Sequence, residues 1–124
     1  MSRKQIKKIF GYHFILDLYD CDPETVGDLK TCYSYLDRLP FILRVNKQSP
    51  PFIVFTKTGF NGWIPIVESG FSLYTNISSS FISIDVYSCK KFETEDIRKF
   101  TYGIFKPKKV KERYLLRGKE YIHP

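Results

Sequence analysis

The sequence lacks long apolar runs and has few cysteines, and each shortage excludes a class of protein. No apolar run approaches the roughly 20 residues of a membrane-spanning helix, so we predict no membrane insertion. Three unevenly spaced cysteines fit neither a disulfide framework nor a zinc site, and we expect reduced thiols and no bound metal. The basic N-terminus lacks the small-residue cleavage site of a signal peptide, which predicts a cytoplasmic protein.

Positive charge is in excess, with a formal net charge of +7, but it is concentrated at the two ends of the chain. Lysines and arginines crowd residues 3–8 and 106–119. No zinc-finger, helix-turn-helix or RNA-recognition signature accompanies them, so we predict solvated surfaces and no nucleic-acid partner. Electrostatic steering of an anionic partner is a weaker alternative.

Length and composition predict one globular domain. A chain of 124 residues with 43% hydrophobic and 17% aromatic residues can build a single core but no second one. We place a basic N-terminal segment at residues 1–10, the domain at residues 11–118 and a C-terminal tail at residues 119–124.

The first half of the domain predicts a strand, a helix and a loop. Residues 11–19 alternate between apolar and mixed positions, which is typical of a strand with one buried face. Asp22 and Pro23 form a helix start, and apolar residues then recur at helical spacing until Pro40. A short strand or the approach to a loop should follow at residues 41–45.

The second half predicts a run of strands and one further helix. Gly59-Phe60-Asn61-Gly62 has the composition of a tight turn. Pro65 lies inside the next strand and implies an edge or a bulge. A helix begins at Thr94 and ends at Lys106. The strands are predicted at residues 52–58, 63–67, 71–75, 81–88 and 110–116.

This order of elements predicts an α+β fold. Short links between the middle strands favour a mostly antiparallel sheet, and the two helices should pack on one face to give a two-layer sandwich. The other face of the sheet is left half covered. It therefore meets either water or a second copy of the chain.

A Glu-Ser pair and a strand that ends in cysteine carry the functional signal. Glu68 and Ser69 precede an apolar run, and Cys89 closes the strand that follows. With two other segments they resemble, in order and spacing, the small prokaryotic S-adenosylmethionine decarboxylases, which depend on a pyruvoyl group. The resemblance implies that family's α+β fold and a homodimer with shared active sites. The matching segments are residues 11–23, 68–75, 84–89 and 105–110.

The resemblance implies self-cleavage between Glu68 and Ser69. The Ser69 hydroxyl attacks the preceding carbonyl, the peptide becomes an ester, and loss of the serine α-proton releases a new chain that begins with a pyruvoyl group. Its keto group forms a Schiff base with the amine of a small-molecule substrate. By position, Cys89 returns the proton after decarboxylation. The resemblance also implies substrate contacts by Phe55, which stacks on adenine, and by Val67.

Three positions depart from the family pattern. Tyr74 stands where the family has a histidine that assists cleavage, and a tyrosine hydroxyl is a poor base at neutral pH. Asn61 replaces a serine that assists the same reaction, although its amide can still donate a hydrogen bond to an oxyanion. Ser78 stands where a glutamate holds the ribose hydroxyls, and it offers a weaker substrate contact.

Structural interpretations compete with each functional one. Ser69 can be an ordinary loop serine, Cys89 a small buried apolar residue, Tyr74 a packed strand aromatic and Phe55 a core residue. Three hypotheses therefore stand. The chain is a self-processing S-adenosylmethionine decarboxylase of polyamine (spermidine) biosynthesis, a pyruvoyl-dependent ornithine or arginine decarboxylase, or a non-processing pseudoenzyme with a regulatory or binding role.

Overall fold

The protein is built on one six-stranded antiparallel sheet. Its structure, a computed structural model, describes residues 6–123, and the side chains of residues 9–120. Within that part of the chain, no helix has both the length and the apolar character needed to cross a membrane. The strands of the sheet are β2 (Gly11–Tyr19), β3 (Phe52–Phe55), β4 (Phe60–Ile66), β5 (Ser69–Asn76), β6 (Phe81–Ser88) and β7 (Lys109–Arg117). Their order across the sheet is β3-β4-β5-β6-β2-β7.

Three helices cover one face of this sheet. They are α1 (Pro23–Val26), α2 (Leu29–Leu43) and α3 (Thr94–Phe105). The strands alternate buried and less buried residues, as the period of two requires. Their buried side chains, such as Leu16, Leu73 and Ile84, form the core together with Tyr35 and Ile97 from the helices. The predicted α+β two-layer fold with an antiparallel sheet is confirmed.

The two ends of the described chain pair with each other. Strand β1 (Ile6–Lys8) runs antiparallel to β8 (Tyr121–His123) and forms a separate two-stranded sheet. We placed these two segments outside the domain from the sequence. In the structure, each contributes one strand to this small sheet.

The first predicted helix differs from the structure at both ends. It is divided into α1 and α2 at Gly27, although Asp22 does cap α1 by accepting a hydrogen bond from the Glu24 N–H at 3.1 Å. Helix α2 does not end before Pro40 but continues to Leu43, so the prediction of a strand or a loop approach there was wrong. Pro40 lies in the last turn, where the loss of one backbone hydrogen bond disturbs little of the helix.

The turn between β3 and β4 lies earlier than predicted. It is closed by the Thr56 N–H, which donates to the Gly59 carbonyl at 2.9 Å. Asn61 and Gly62 therefore belong to β4 and not to a turn. Pro65, which suggested an edge, lies beyond the end of β3. There β4 pairs with β5 on one side and contacts residues 47–48 of the loop after α2 on the other.

The face of the sheet opposite the helices is called the open face here. It carries the alternate residues that point away from the core, and it is only partly buried. Its members are mostly polar and aromatic: Asn61, Trp63, Ser72, Tyr74, Ser83, Asp85, Tyr87, His13, Ile15 and Asp17. From the sequence, this face was expected to meet either water or a second copy of the chain.

Candidate active site

The Glu68–Ser69 peptide bond lies at the tight connection between β4 and β5. Val67 and Glu68 form a two-residue turn, because Ile66 and Ser69 already pair across the two strands. Ser69 has a φ angle of 153°, a value that residues with a side chain rarely adopt. Backbone strain of this kind costs on the order of 1–3 kcal/mol and is typical of functional sites.

The carbonyl of Glu68 is bonded to the segment that carries the candidate proton donor. The backbone N–H of Cys89 donates a hydrogen bond to this carbonyl at 2.9 Å. This hydrogen bond follows from the strand register, in which Ser69 pairs with Ser88. Strands β5 and β6 therefore bring Cys89 beside the Glu68–Ser69 bond, and the carbonyl that Ser69 would attack is already polarised by a donor.

The three cysteines fall into two classes. Cys21 and Cys32 are buried, and burial raises the pKa of their thiols to about 11 and about 12 respectively. Cys89 is exposed. The interpretation of Cys89 as a small buried residue is therefore wrong, and it is the accessible thiol among the three.

The other predicted site residues lie at the opposite end of the same strands. Asn61 pairs with Tyr74 across β4 and β5, and Phe55 faces Phe60 at the adjoining end of β3. Tyr74 follows Ser69 by five positions on β5, which separates their Cα atoms by roughly 17 Å in an extended strand. Within one chain, the structure does not bring these residues to the cleavage bond.

Two clusters of predicted residues can thus be distinguished. The cleavage cluster comprises Val67, Glu68, Ser69 and Cys89, and the distal cluster comprises Phe55, Asn61, Tyr74 and Ser78. The aromatic members of the distal cluster are not core residues, since Phe55 is 72% and Tyr74 41% exposed. Ser78 donates its hydroxyl proton to the Asn76 side-chain oxygen at 3.0 Å and so takes part in the local turn.

Phe55 lines a groove on the helix side of the molecule, whereas Asn61 and Tyr74 of the distal cluster lie on the open face. Phe55 lines a space of about 750 Å³ between β3 and the start of α2, together with Tyr33, Phe52 and Leu29. Its lining is mostly apolar and aromatic, which suits a planar ring system. The sequence did not reveal this groove, because its two walls are distant in the chain.

A second cavity, of about 420 Å³, adjoins Ser69 on the open face. His13 contacts Asp85 through Nε2 at 3.0 Å, and its Nδ1 lies 3.2 Å from the Arg117 guanidinium. Because arginine can only donate, His13 here carries its proton on Nε2 and donates it to Asp85. Both ring nitrogens are occupied, as expected for a structural histidine. The clustering of Asp85 and Arg117 with it was not predicted.

Known proteins of one family resemble this chain over most of its length. The family model of S-adenosylmethionine decarboxylase matches residues 12–118. The S-adenosylmethionine decarboxylase proenzyme of Clostridium botulinum (strain Loch Maree) is 30% identical over 115 residues, covering 90% of this chain and 97% of that protein. The proenzyme of Pyrococcus furiosus is 26% identical over 111 residues, covering 89% of this chain and 80% of that protein.

A solved structure supports the fold independently. The adenosylmethionine decarboxylase of Aquifex aeolicus superposes with a TM-score of 0.78 at 20% identity, and the match covers 90% of this chain and 92% of that one. The resemblance seen in the sequence is confirmed, and the moderate identities mark a divergent member. The chain belongs to the S-adenosylmethionine decarboxylase family.

Proposed function

We propose that the chain is a proenzyme that cleaves itself between Glu68 and Ser69 and then decarboxylates S-adenosylmethionine. The observation that carries this proposal is the geometry of that bond. A tight turn holds Ser69 at an unfavourable φ angle, and a backbone donor polarises the carbonyl before it. The names of the relatives, which are called proenzymes, support the same reaction.

The cleavage cluster supplies the groups for the first step. The Ser69 hydroxyl oxygen adds to the Glu68 carbonyl carbon, and the Cys89 N–H stabilises the oxyanion that forms. The C–N bond then breaks, its nitrogen takes the proton that the hydroxyl lost, and an ester replaces the peptide bond. Strain at Ser69 favours this step, because the ester no longer requires the same backbone conformation.

In the second step, the α-proton of Ser69 passes to water or to a side chain that acts as a base. The electron pair left on the α-carbon forms a double bond to the β-carbon. The leaving group is the α-carboxylate of Glu68, which becomes the end of the first fragment. Hydrolysis of the resulting dehydroalanine releases ammonia and leaves a pyruvoyl group at the new chain start. When formed, this group acts as the electron sink for decarboxylation. Cys89 is exposed beside it and is suited to return a proton to the substrate carbon.

A homodimer would unite the two clusters. Asn61 and Tyr74 lie on the open face, roughly 17 Å along the strand from Ser69 at about 3.4 Å per residue. A second copy stacked on this face with its strands reversed would place its distal cluster beside the first copy's cleavage cluster. Each site would then contain Ser69 and Cys89 of one chain, with Asn61 and Tyr74 of the other. The polar and aromatic lining of the open face suits such a contact.

The distal cluster then supplies the substrate contacts. Phe55 would stack on the adenine ring, which would then extend around the free edge of β3, because Phe55 lines a groove on the helix side. Val67 would line the site from the cleavage side. The hydroxyl of Ser78 already donates to Asn76. It can accept one hydrogen bond from a ribose hydroxyl but cannot replace a carboxylate. A cytoplasmic location stays a prediction from the sequence.

Intact mass of the denatured protein tests self-cleavage directly. We expect two fragments that divide between Glu68 and Ser69, with a pyruvoyl-blocked second fragment. The Ser69→Ala variant should remain at full length, while Ser72→Ala, a serine on the same strand, should still cleave. A wild-type protein that keeps its full-length mass would contradict the proposal. It would favour a non-processing relative, which Tyr74 suggests.

Substrate choice is tested after cleavage. Release of carbon dioxide from S-adenosylmethionine should exceed release from ornithine or arginine. The reverse result would favour a pyruvoyl-dependent decarboxylase of a smaller amino acid, for which the missing ribose-holding acid at Ser78 is the supporting observation.

A further inference from the structure

Asn46, a loop residue with no recognisable motif around it, makes three hydrogen bonds to the turn that contains the cleavage bond. Its carbonyl accepts from the Val67 N–H at 2.8 Å. Its backbone N–H and its side-chain Nδ2 donate to the two carboxylate oxygens of Glu68, at 3.1 and 3.3 Å. Asn46 therefore binds both residues of the turn, through its backbone and its side chain at once.

The loop around Asn46 is itself fixed to β4. The Gln48 N–H donates to the Pro65 carbonyl at 2.9 Å, and Lys47 forms an isolated bridge with Ile66. On the other side, the Lys90 ammonium donates to the Arg44 carbonyl at 2.9 Å. The loop thus links the β4 end of the turn to the segment that follows Cys89.

Glu68 is consequently held from two directions. Asn46 holds its carboxylate, and the Cys89 N–H holds its carbonyl. Rotation of the Glu68–Ser69 peptide plane would break at least one of these contacts. A fixed plane keeps the carbonyl carbon presented to the Ser69 hydroxyl, and such alignment of reacting groups accelerates a reaction inside one molecule.

We propose that Asn46 is a positioning residue for self-cleavage: by gripping the Glu68 side chain, it orients the bond that Ser69 attacks. This role rests on the proposed self-processing function. After cleavage, the same hydrogen bonds keep the new chain end at Glu68 attached to the rest of the protein.

A donor–acceptor exchange tests this role. Asn46→Asp places a carboxylate against that of Glu68, whereas in Glu68→Gln the Asn46 amide can turn over so that its oxygen accepts from the introduced amide. Asn46→Asp should therefore slow cleavage of freshly refolded protein by about tenfold, because the bond is less often aligned with the Ser69 hydroxyl, and Glu68→Gln should slow it less. The double variant, in which the introduced carboxylate accepts from the introduced amide, should recover most of the rate.

Two further measurements separate positioning from simple destabilisation. Gln48→Ala, which changes an exposed side chain of the same loop and leaves its backbone bond in place, should cleave at the wild-type rate. Thermal unfolding of uncleaved Ser69→Ala protein should be nearly the same with and without the added Asn46→Asp substitution.

The outcomes distinguish the two proposals. A wild-type chain that never cleaves would overturn both. A wild-type chain that cleaves while Asn46→Asp keeps the full rate, or a double variant no faster than Asn46→Asp, would overturn the role of Asn46 alone. So would a loss of thermal stability large enough to account for the slower cleavage.

Discussion

At the scale of single residues, position 74 is the main departure from the family pattern. Tyr74 lies on the open face, 41% exposed, and pairs with Asn61 on one side and Ser83 on the other. Its hydroxyl is a poor base at neutral pH, so removal of the Ser69 α-proton is the step that we expect to limit cleavage. The exposure of Tyr74 means that other side chains fit this position without disturbing the core.

Replacing Tyr74 by histidine should accelerate cleavage. An imidazole is a competent base near pH 7, and general bases typically contribute about 10²–10⁴-fold. We therefore expect Tyr74→His to shorten the half-time of conversion to two fragments by roughly 10²-fold. Intact mass, measured over time, gives this half-time. Tyr74→Phe serves as the control and should match the wild type. A large loss of rate in Tyr74→Phe would instead show that the tyrosine hydroxyl itself takes part.

At the scale of elements, one charged network joins α3 to β7 at the edge of the sheet. Arg98 donates from Nε to both carboxylate oxygens of Glu112 at 3.0 Å and from a terminal nitrogen at 2.9 Å. The Tyr102 hydroxyl also donates to Glu112. The hydrogen bonds from Arg98, more than those from Tyr102, hold the pKa of Glu112 below its ordinary value. The ionised form of Glu112 is therefore the one that ties the helix to the strand.

This network predicts a pH dependence of stability. A lowered pKa stabilises the folded state above the ordinary carboxyl pKa and loses that contribution as the pH falls through the lowered value. Glu112→Gln should therefore reduce the free energy of unfolding by about 1 kcal/mol at pH 7, and by much less near pH 3. Urea unfolding at the two pH values measures the difference.

A neighbouring acid on the same network provides the control for Glu112. Glu95 also contacts Arg98, but at 3.4 Å and with its side chain 62% exposed. Glu95→Gln should change stability by only a few tenths of a kcal/mol. Equal effects of the two substitutions at pH 7 would contradict the assigned importance of the Arg98–Glu112 pair.

At the scale of the whole molecule, the sheet separates two groups of residues that the proposed reaction would bring together. The cleavage cluster and the distal cluster occupy opposite ends of β4 and β5, and a rigid antiparallel sheet cannot fold to join them. The open face, which no element covers within the described residues, is where a second chain can supply the missing half. A single copy would then contain two half-sites.

Complementation between two inactive chains tests this arrangement. Ser69→Ala lacks the nucleophile, whereas Asn61→Ala lacks the amide that would donate to the oxyanion from the other chain. When equal amounts of the two variants are refolded together, up to about half of the Asn61→Ala chains should pair with a Ser69→Ala chain and cleave. Each variant refolded alone should stay uncleaved, and the two chains differ in mass. Full cleavage of Asn61→Ala by itself would contradict a shared site.

The sequence by itself determined the family and the α+β fold, and it predicted Glu68–Ser69 as the cleavage bond with Cys89 as its cysteine. These depend on local patterns: alternation along strands, helical spacing, and short motifs in a fixed order. Local signals also gave two wrong predictions. Pro40 suggested the end of a helix that tertiary packing extends to Leu43. Residues 59–62 suggested a turn, but the turn lies earlier in the chain.

Only the tertiary structure decided which residues meet. Asn46 reaches Glu68 across 22 positions of the chain, the Cys89 N–H reaches the Glu68 carbonyl through strand register, and Tyr74 is kept away from Ser69 by the length of β5. Contacts of this kind follow from how strands pair and how loops return to the sheet. Pairing depends on the burial of a whole face at once, and for that reason no single stretch of sequence contains it.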